Sequence, residues 1–134
     1  MTSHPRIQIA GRDIGIEAPP FLIAEMSANH NGSLDTALKI IEVARQNGAD
    51  AVKLQTYRPD TITIDHDSKD FQIHGGLWDG RTLYELYQEA HMPWEWHQSL
   101  FAHARKIGIT IFSSPFDTTA VDFFFFKQKT AYEI

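Results

Sequence analysis

Residues 46–56 read Gln46-Asn47-Gly48-Ala49-Asp50-Ala51-Val52-Lys53-Leu54-Gln55-Thr56, and their order decides the fold. Gly48 suits the left-handed position that follows a helix. The run Ala51 to Thr56 behind it reads as a strand. The same logic recurs at Lys106-Ile107-Gly108-Ile109-Thr110, a weak internal repeat of helix, glycine stop and strand. Upstream, Phe21-Leu22-Ile23-Ala24 is a continuous apolar run ending at Glu25, the pattern of a parallel strand buried on both faces. Strands alternating with helices specify a parallel β/α architecture.

The intervening segments fill in the units. Ser33 is placed to cap a helix whose apolar positions Leu34, Ala37, Leu38, Ile41 and Ala44 recur at helical spacing. Thr82 to Ala90 reads as a short helix, and Pro93 as the first residue of another. His97, Leu100, Phe101, Ala104 and Ile107 mark the buried face of that helix, and Gly108 ends it. Ile109 to Phe112 is a third strand leading to Ser113-Ser114-Pro115, and a further helix begins near Asp117. Ahead of these units, Ile7 and Ile9 and then Ile14 and Ile16 alternate with polar residues or glycine around Gly11-Arg12-Asp13, a short hairpin that Pro19-Pro20 terminates. Residues 57–80 form a long connection. A (β/α)₈ barrel needs ~250 residues and a flavodoxin-like sheet about five strands. Three strands complete neither, so the expected fold is α/β and incomplete, a hairpin plus about three βα units of a (β/α)₈ barrel or of a flavodoxin-like sheet.

Composition narrows the function classes. Hydrophobic residues make up 43% of the chain and charged residues 22%, which is globular rather than disordered. The net charge of −5 gives no electrostatic footprint for nucleic acid and no basic face for an anionic membrane. The absence of cysteine removes disulfides and thiolate metal sites and suits a cytoplasmic location. No segment approaches the ~18 apolar residues of a membrane span.

The twelve residues Phe123 to Ile134 (FFFFKQKTAYEI) stand apart. Lys127 to Glu133 is what the sequencing-adapter oligonucleotide AAGCAGAAGACGGCATACGAGAT encodes, and a thymine-rich run before it supplies the phenylalanines. Four adjacent phenylalanines also fit no amphipathic helix. Residues 1–122 are therefore expected to be a partial barrel domain and residues 123–134 a non-native tail, outside fold reasoning.

In β/α barrels the chemistry gathers at the C-terminal ends of the strands. Here those ends carry Glu25, then Lys53 and Gln55, then Ser113 and Ser114. Side-chain alternation puts Val52 and Leu54 under the helices and Lys53 and Gln55 in the barrel mouth. A lysine in an otherwise apolar strand is costly unless it meets an anion. Lys53 is thus a candidate phosphate or carboxylate ligand, or else the structural ion-pair partner of Glu25. Glu25 suits a general base or a metal-shell carboxylate, or the cap of the next turn. In the loop Asn29-His30-Asn31-Gly32-Ser33, Asn29 and His30 could hydrogen-bond a polyol or simply order the loop. Ser113-Ser114-Pro115 could hold an anion or cap the next helix. The seven histidines show no metal spacing. Asp60, Asp65, Asp67 and Asp70 read as a solvated loop. Trp78, Trp94 and Trp96 read as packing residues, with Trp78 a possible wall of a sugar pocket.

Together these motifs resemble the sialic acid synthase family, which implies that the fold is the N-terminal part of a (β/α)₈ TIM barrel. Phe21-Leu22-Ile23-Ala24-Glu25-Met26-Ser27-Ala28-Asn29-His30-Asn31-Gly32-Ser33 resembles its first strand and loop, Gly48 to Thr56 its second strand, and Phe112-Ser113-Ser114-Pro115-Phe116 its third. Gly75-Gly76-Leu77-Trp78-Asp79, Leu83-Tyr84-Glu85-Leu86-Tyr87 and Pro93-Trp94-Glu95-Trp96-His97 are similar to its pseudaminic acid synthase branch in particular. The resemblance implies that phosphoenolpyruvate condenses with an open-chain 2,4-diacetamido-2,4,6-trideoxy-altrose. The methylene carbon attacks an aldehyde polarised by a divalent metal (manganese, magnesium or cobalt), water adds at C2, and phosphate leaves by C–O cleavage. It implies a catalytic role for Glu25 near the attacking water, and substrate-binding roles for Lys53, Gln55, Ser114, Asn29 and His30. It also implies a homodimer in which a C-terminal domain completes the site. Its metal-binding histidines lie on later strands that this chain lacks. If Ala131-Tyr132-Glu133-Ile134 were a genuine fourth strand, Glu133 would replace an anion-binding lysine. The alternatives are an N-acetylneuraminate or legionaminic acid synthase, or a non-catalytic sugar- or anion-binding β/α remnant.

Overall fold

Ala10 and Gly11, at φ +50° and +78°, make the two-residue loop of a hairpin between β1 (Ile7–Ile9) and β2 (Arg12–Ile14). Positive φ at both loop positions matches the natural strand twist. Arg12 and Asp13, expected in the loop, instead lie in β2 opposite Ile9 and Gln8. This computed structural model describes residues 7–124.

Three parallel strands follow, β3 (Ile23–Glu25), β4 (Ala51–Thr56) and β5 (Thr110–Pro115), in the order β3-β4-β5. Each strand lies beside the one before it in the chain. A doubly wound sheet reverses its direction of growth at a switch point, whereas a barrel advances one way. The observed order is the one a barrel requires, with no switch point among the described strands. β5 runs through Ser113, Ser114 and Pro115, which the sequence reading had placed just beyond it.

The connecting helices begin and end where their chemistry dictates. α1 (Leu34–Gln46) starts at Ser33, whose Oγ accepts the Thr36 N–H at 3.2 Å. Gly48 and Gly108, at φ +86° and +72°, end α1 and the helix Trp96–Ile107 (α4) in the left-handed region that a Cβ would strain. α3 (Leu83–Ala90) opens with a reciprocal cap between Thr82 and Glu85. α4 (Trp96–Ile107) begins three residues later than Pro93 suggested. The Pro93 carbonyl instead accepts the Trp96 N–H at 3.1 Å in a preceding turn.

One side of the sheet is packed. Val52 and Leu54 of β4 are fully buried with Ala37 and Ile41 of α1 and Leu100 and Ala104 of α4. Phe101 and Ile107, expected on the same buried face of α4, are half-buried beside them. The Phe21–Ala24 run departs from expectation: Leu22 and Ile23 are 53% and 50% exposed. β3 pairs only with β4 among the described strands, so its other edge and one face stay open to water.

The long connection holds two short elements, α2 (Pro59–Ile62) and a 3₁₀ turn at Lys69–Phe71. Gln72 bridges to Thr82, and the Arg81 guanidinium meets Glu89 of α3 at 2.6 Å. α5 (Thr118–Asp122) is capped by Asp117. The adapter-like run Lys127 to Glu133 lies outside the described residues; Phe123 and Phe124 lie against Trp94, His97 and Phe101. No helix among the described residues is long and apolar enough to cross a membrane.

Candidate functional site

The parallel register builds the site. Glu25 lies opposite Lys53, Lys53 opposite Phe112, and Gln55 opposite Ser114. Alternation then sends all five side chains to one face of the sheet, opposite the face where Val52 and Leu54 meet the helices. The structure thus brings Glu25, Lys53, Gln55 and Ser114 together near the strands' C-terminal ends. Phe112, 36% exposed, supplies an apolar wall that the sequence reading missed. Its signal was the alternation itself, once β5 is aligned with Lys53.

Lys53 Nζ meets Glu25 Oε2 at 2.7 Å. The other Glu25 oxygen accepts the Ser27 N–H at 3.2 Å, and Ser27 has φ +49°. Glu25 therefore caps its own loop and pairs with Lys53 at once, so both structural alternatives for these residues are present in the geometry. With side-chain exposures of 33% and 39%, the pair is screened and contributes little to stability. Ser27 holds a left-handed backbone for a non-glycine residue, a local strain of the kind found beside functional side chains. The Gln55 amide and Ser114 hydroxyl make no hydrogen bond among the described residues, which leaves them available on this face.

Asn29 and His30 are placed differently. The Asn29 amide donates to the Met26 carbonyl at 2.9 Å and orders the loop. His30 is 1% exposed, edge-on to Trp96 of α4 with ring centroids 5.4 Å apart. Its Nδ1 accepts the Gly32 N–H at 3.1 Å, while its Nε2 is buried without a hydrogen-bond partner. The structure does not bring His30 to the Glu25–Lys53 face: packing against Trp96 holds the ring in the protein interior. Of the two roles considered for this loop, ordering is the one its contacts serve.

Two polar clusters escaped the sequence reading. Arg12 forms an ion pair with Asp50 and donates to the Pro20 carbonyl at 2.9 Å, while Asp50 also accepts the Leu22 N–H at 2.7 Å. This ties the hairpin to the starts of β3 and β4. On the packed face, Thr56 Oγ1 lies 2.7 Å from both His97 Nε2 and Ser113 Oγ. Neither cluster has a sequence signature, because its members lie far apart in the chain. At the rim, a cleft of about 400 Å³ is lined by Arg58, Tyr84, Gln88, His91, Trp94 and Glu95 among others, with the Arg58 guanidinium 4.1 Å above the Trp94 ring.

Burial pulls the proton affinities of His30 and His97 below their ordinary 6.5, with the charge of His91 adding to the effect on His30. A base that resists protonation only when folded stabilises the protein above its unfolded value and loses that contribution as pH falls through the lowered native one. The urea midpoint is therefore expected to hold from pH 8 to about 6.5 and to drop as pH falls further. His97→Gln should flatten the drop. An unchanged or rising midpoint toward pH 5.5 contradicts this.

Among the described residues, no three His, Asp or Glu side chains converge in a way that could hold a metal ion. Glu25 is the carboxylate on the site face, and one carboxylate makes no cation site. The residues present do not fit a resident metal by themselves.

The comparisons with known proteins agree with this geometry. The model of the NeuB family matches residues 40–134. A pseudaminic acid synthase of Campylobacter jejuni is 54% identical over 114 residues, covering 85% of this chain and 33% of that protein. One from Helicobacter pylori is 49% identical over 104 residues, 78% of this chain and 31% of its own length. An N,N'-diacetyllegionaminic acid synthase of Legionella pneumophila is 35% identical over 103 residues, 77% of this chain and 29% of that protein. The chain spans about a third of the length of the curated relatives it matches. Among solved structures, the N-acetylneuraminic acid synthetase of Leptospira borgpetersenii superposes with a TM-score of 0.70 at 26% identity, covering 89% of this chain and 37% of that one. With that family's model matching residues 40–134, most of its length, the chain belongs to the NeuB family.

Proposed function

We propose that the whole protein of which this chain is part is a pseudaminic acid synthase. It condenses phosphoenolpyruvate with a 2,4-diacetamido-2,4,6-trideoxy-altrose and releases phosphate. The observation that carries the reading is the placement of Lys53, Glu25, Gln55 and Ser114 on one face of the sheet. Identities of 49% and 54% to pseudaminic acid synthases, against 35% to a legionaminic acid synthase, favour this branch.

The chemistry asks for an anion site beside a base. In the free chain Lys53 and Glu25 neutralise one another. A phosphate or carboxylate arriving at Lys53 competes with Glu25 for the ammonium and releases the carboxylate. The phosphoenolpyruvate methylene carbon then attacks the sugar aldehyde, forming the C–C bond. Glu25 takes one proton of the water that adds at C2 and returns it to the alkoxide that the aldehyde has become. Phosphate departs with the bridging oxygen and the second water proton as C2 closes to the ketone. Gln55 and Ser114 hydrogen-bond the substrates. In this reading the whole protein needs a divalent cation, works as a homodimer and acts in the cytoplasm. Among the described residues no side chains converge to hold a cation, so no step is assigned to one.

The test uses the full-length protein with phosphoenolpyruvate labelled at its bridging oxygen. The label is expected in the released phosphate, with pseudaminic acid formed from the altrose derivative far faster than any product from N-acetylmannosamine or the legionaminic-type hexose. Preference for either of those sugars moves the protein to another branch, and label retained in the sugar product defeats the mechanism.

The tail belongs to the same proposal. Residues 123–134 are read as foreign sequence, although the family match runs through them and Ala131, Tyr132 and Ile134 suit a fourth strand. Sequencing across the codons of Val121 and Asp122 with a different adapter set decides this. A frame continuing into further βα units supports the reading, and recovery of the same twelve residues ends it.

A further inference from the structure

We propose that Ser113, Thr56 and His97 form a positioning element that locks the C-terminal ends of β4 and β5 and thereby sets the spacing of Gln55 and Ser114 on the opposite face. The proposal deepens the synthase reading and rests on it.

The protons of this chain can be assigned one by one. His97 Nδ1 lies 3.0 Å from the Trp94 carbonyl, which can only accept, so Nδ1 carries the hydrogen. In the neutral ring Nε2 then accepts, and its partner at 2.7 Å, the Thr56 hydroxyl, donates. That uses the single Thr56 hydrogen. The Ser113 hydroxyl, 2.7 Å from the same oxygen, must therefore donate to Thr56. His97 and Thr56 are both 0% exposed, so water does not reach the bond between them, while Ser113 is half-buried. A network with a buried centre and every member satisfied fixes one arrangement.

The bridge sits where the paired strands end. Thr56 lies opposite Pro115, the last residue of β5. The backbone bond from the Phe116 N–H to the Thr56 carbonyl, at 3.1 Å, closes the ladder. The Thr56–Ser113 bridge adds a side-chain tie between the two strands at this end. Gln55 precedes Thr56, Ser114 follows Ser113, and Gln55 and Ser114 face each other in register. A shift between the strand ends moves the two substrate-facing groups relative to Lys53 with no loss of either group.

Thr56→Val in the full-length protein removes the hydroxyl at nearly constant shape, leaves His97 Nε2 unpaired and takes away the strand partner of the Ser113 hydroxyl. The expected result is a fall of about tenfold in kcat/KM for phosphoenolpyruvate, measured well below the melting temperature, because small misplacements of binding groups cost rate steeply. Thr56→Ser, which keeps the hydroxyl, should recover most of it. Nitrogen NMR of wild type should show the His97 proton on Nδ1 at neutral pH. A Thr56→Val protein that melts earlier but keeps wild-type kcat/KM, or a His97 proton found on Nε2 alone, overturns the proposal. If Thr56→Val does not fold, Ser113→Ala carries the same comparison, with Ser113→Thr as its rescue. The two readings fail differently. A wild-type protein that releases no phosphate with any of the sugars removes the synthase reading and this proposal together. An active wild type matched by its Thr56→Val variant removes this proposal alone.

Discussion

Lys53→Ala and Glu25→Gln in the full-length protein should each lower kcat/KM for phosphoenolpyruvate by roughly 10²- to 10³-fold, through opposite routes. Lys53 supplies the ammonium on the site face, and its 2.7 Å pairing with Glu25 shows where an anion would sit. Removing it deletes the attraction that holds the substrate's phosphate or carboxylate, so KM for phosphoenolpyruvate rises as well as kcat falling. Glu25→Gln keeps the shape and deletes the competing anion. Lys53 is then freer to bind phosphoenolpyruvate, so KM should stay level or fall while kcat collapses for want of a base. Neither change should move the unfolding free energy by more than about 1 kcal/mol, because both side chains are about a third exposed and screened. Steady-state kinetics and urea titration on the same preparations decide the matter. Near-normal kcat/KM in both variants sinks the site assignment, and equal rises in KM would mean that Glu25 binds substrate rather than acting as a base.

How much of this was legible in the sequence depends on the range over which each feature is encoded. Helix ends are local: Ser33, Thr82, Gly48 and Gly108 declare themselves within one turn, and all four fall where the residues said. The faces of β4 follow from alternation over six residues, so Val52 and Leu54 against Lys53 and Gln55 could be assigned without coordinates. Three features needed the third dimension. Pro93 is compatible both with opening a helix and with preceding one by a turn, and only the hydrogen bond from Trp96 to its carbonyl separates the two. The apolar run at Leu22 and Ile23 promised burial on both faces, but burial needs a neighbour on each side, and β3 has one among the described strands. His30 suited either a polyol ligand or the ordering of its own loop, and what separates the two is a ring 66 positions along the chain, Trp96, that covers it. The Thr56–His97–Ser113 network is similar: it joins residues 41 and 57 positions apart that no local pattern relates.

Leu54→Ala should destabilise the full-length protein by about 2–5 kcal/mol while leaving kcat/KM of the molecules that remain folded close to wild type. Leu54 is 0% exposed, one residue from Lys53 and one from Gln55, but on the other face of the strand. Its buried cluster includes Ala37 and Ala104, whose side chains cannot extend into the space a truncated leucine leaves, so the cavity stays largely open. That places the expected cost in the upper half of the range. Leu54→Met, which conserves volume, should cost under about 1.5 kcal/mol. The contrast with Lys53→Ala is the informative part. Adjacent positions on one strand should separate cleanly, one losing stability and keeping rate, the other losing rate and keeping stability, because a strand turns successive side chains to opposite faces. A register displaced by one residue would exchange the two outcomes. Urea unfolding and kinetics on this pair of variants therefore test the alignment of β4 between β3 and β5 as well as the roles of the residues, and an exchange of the two phenotypes would require the sheet to be re-registered before any chemistry is assigned to it.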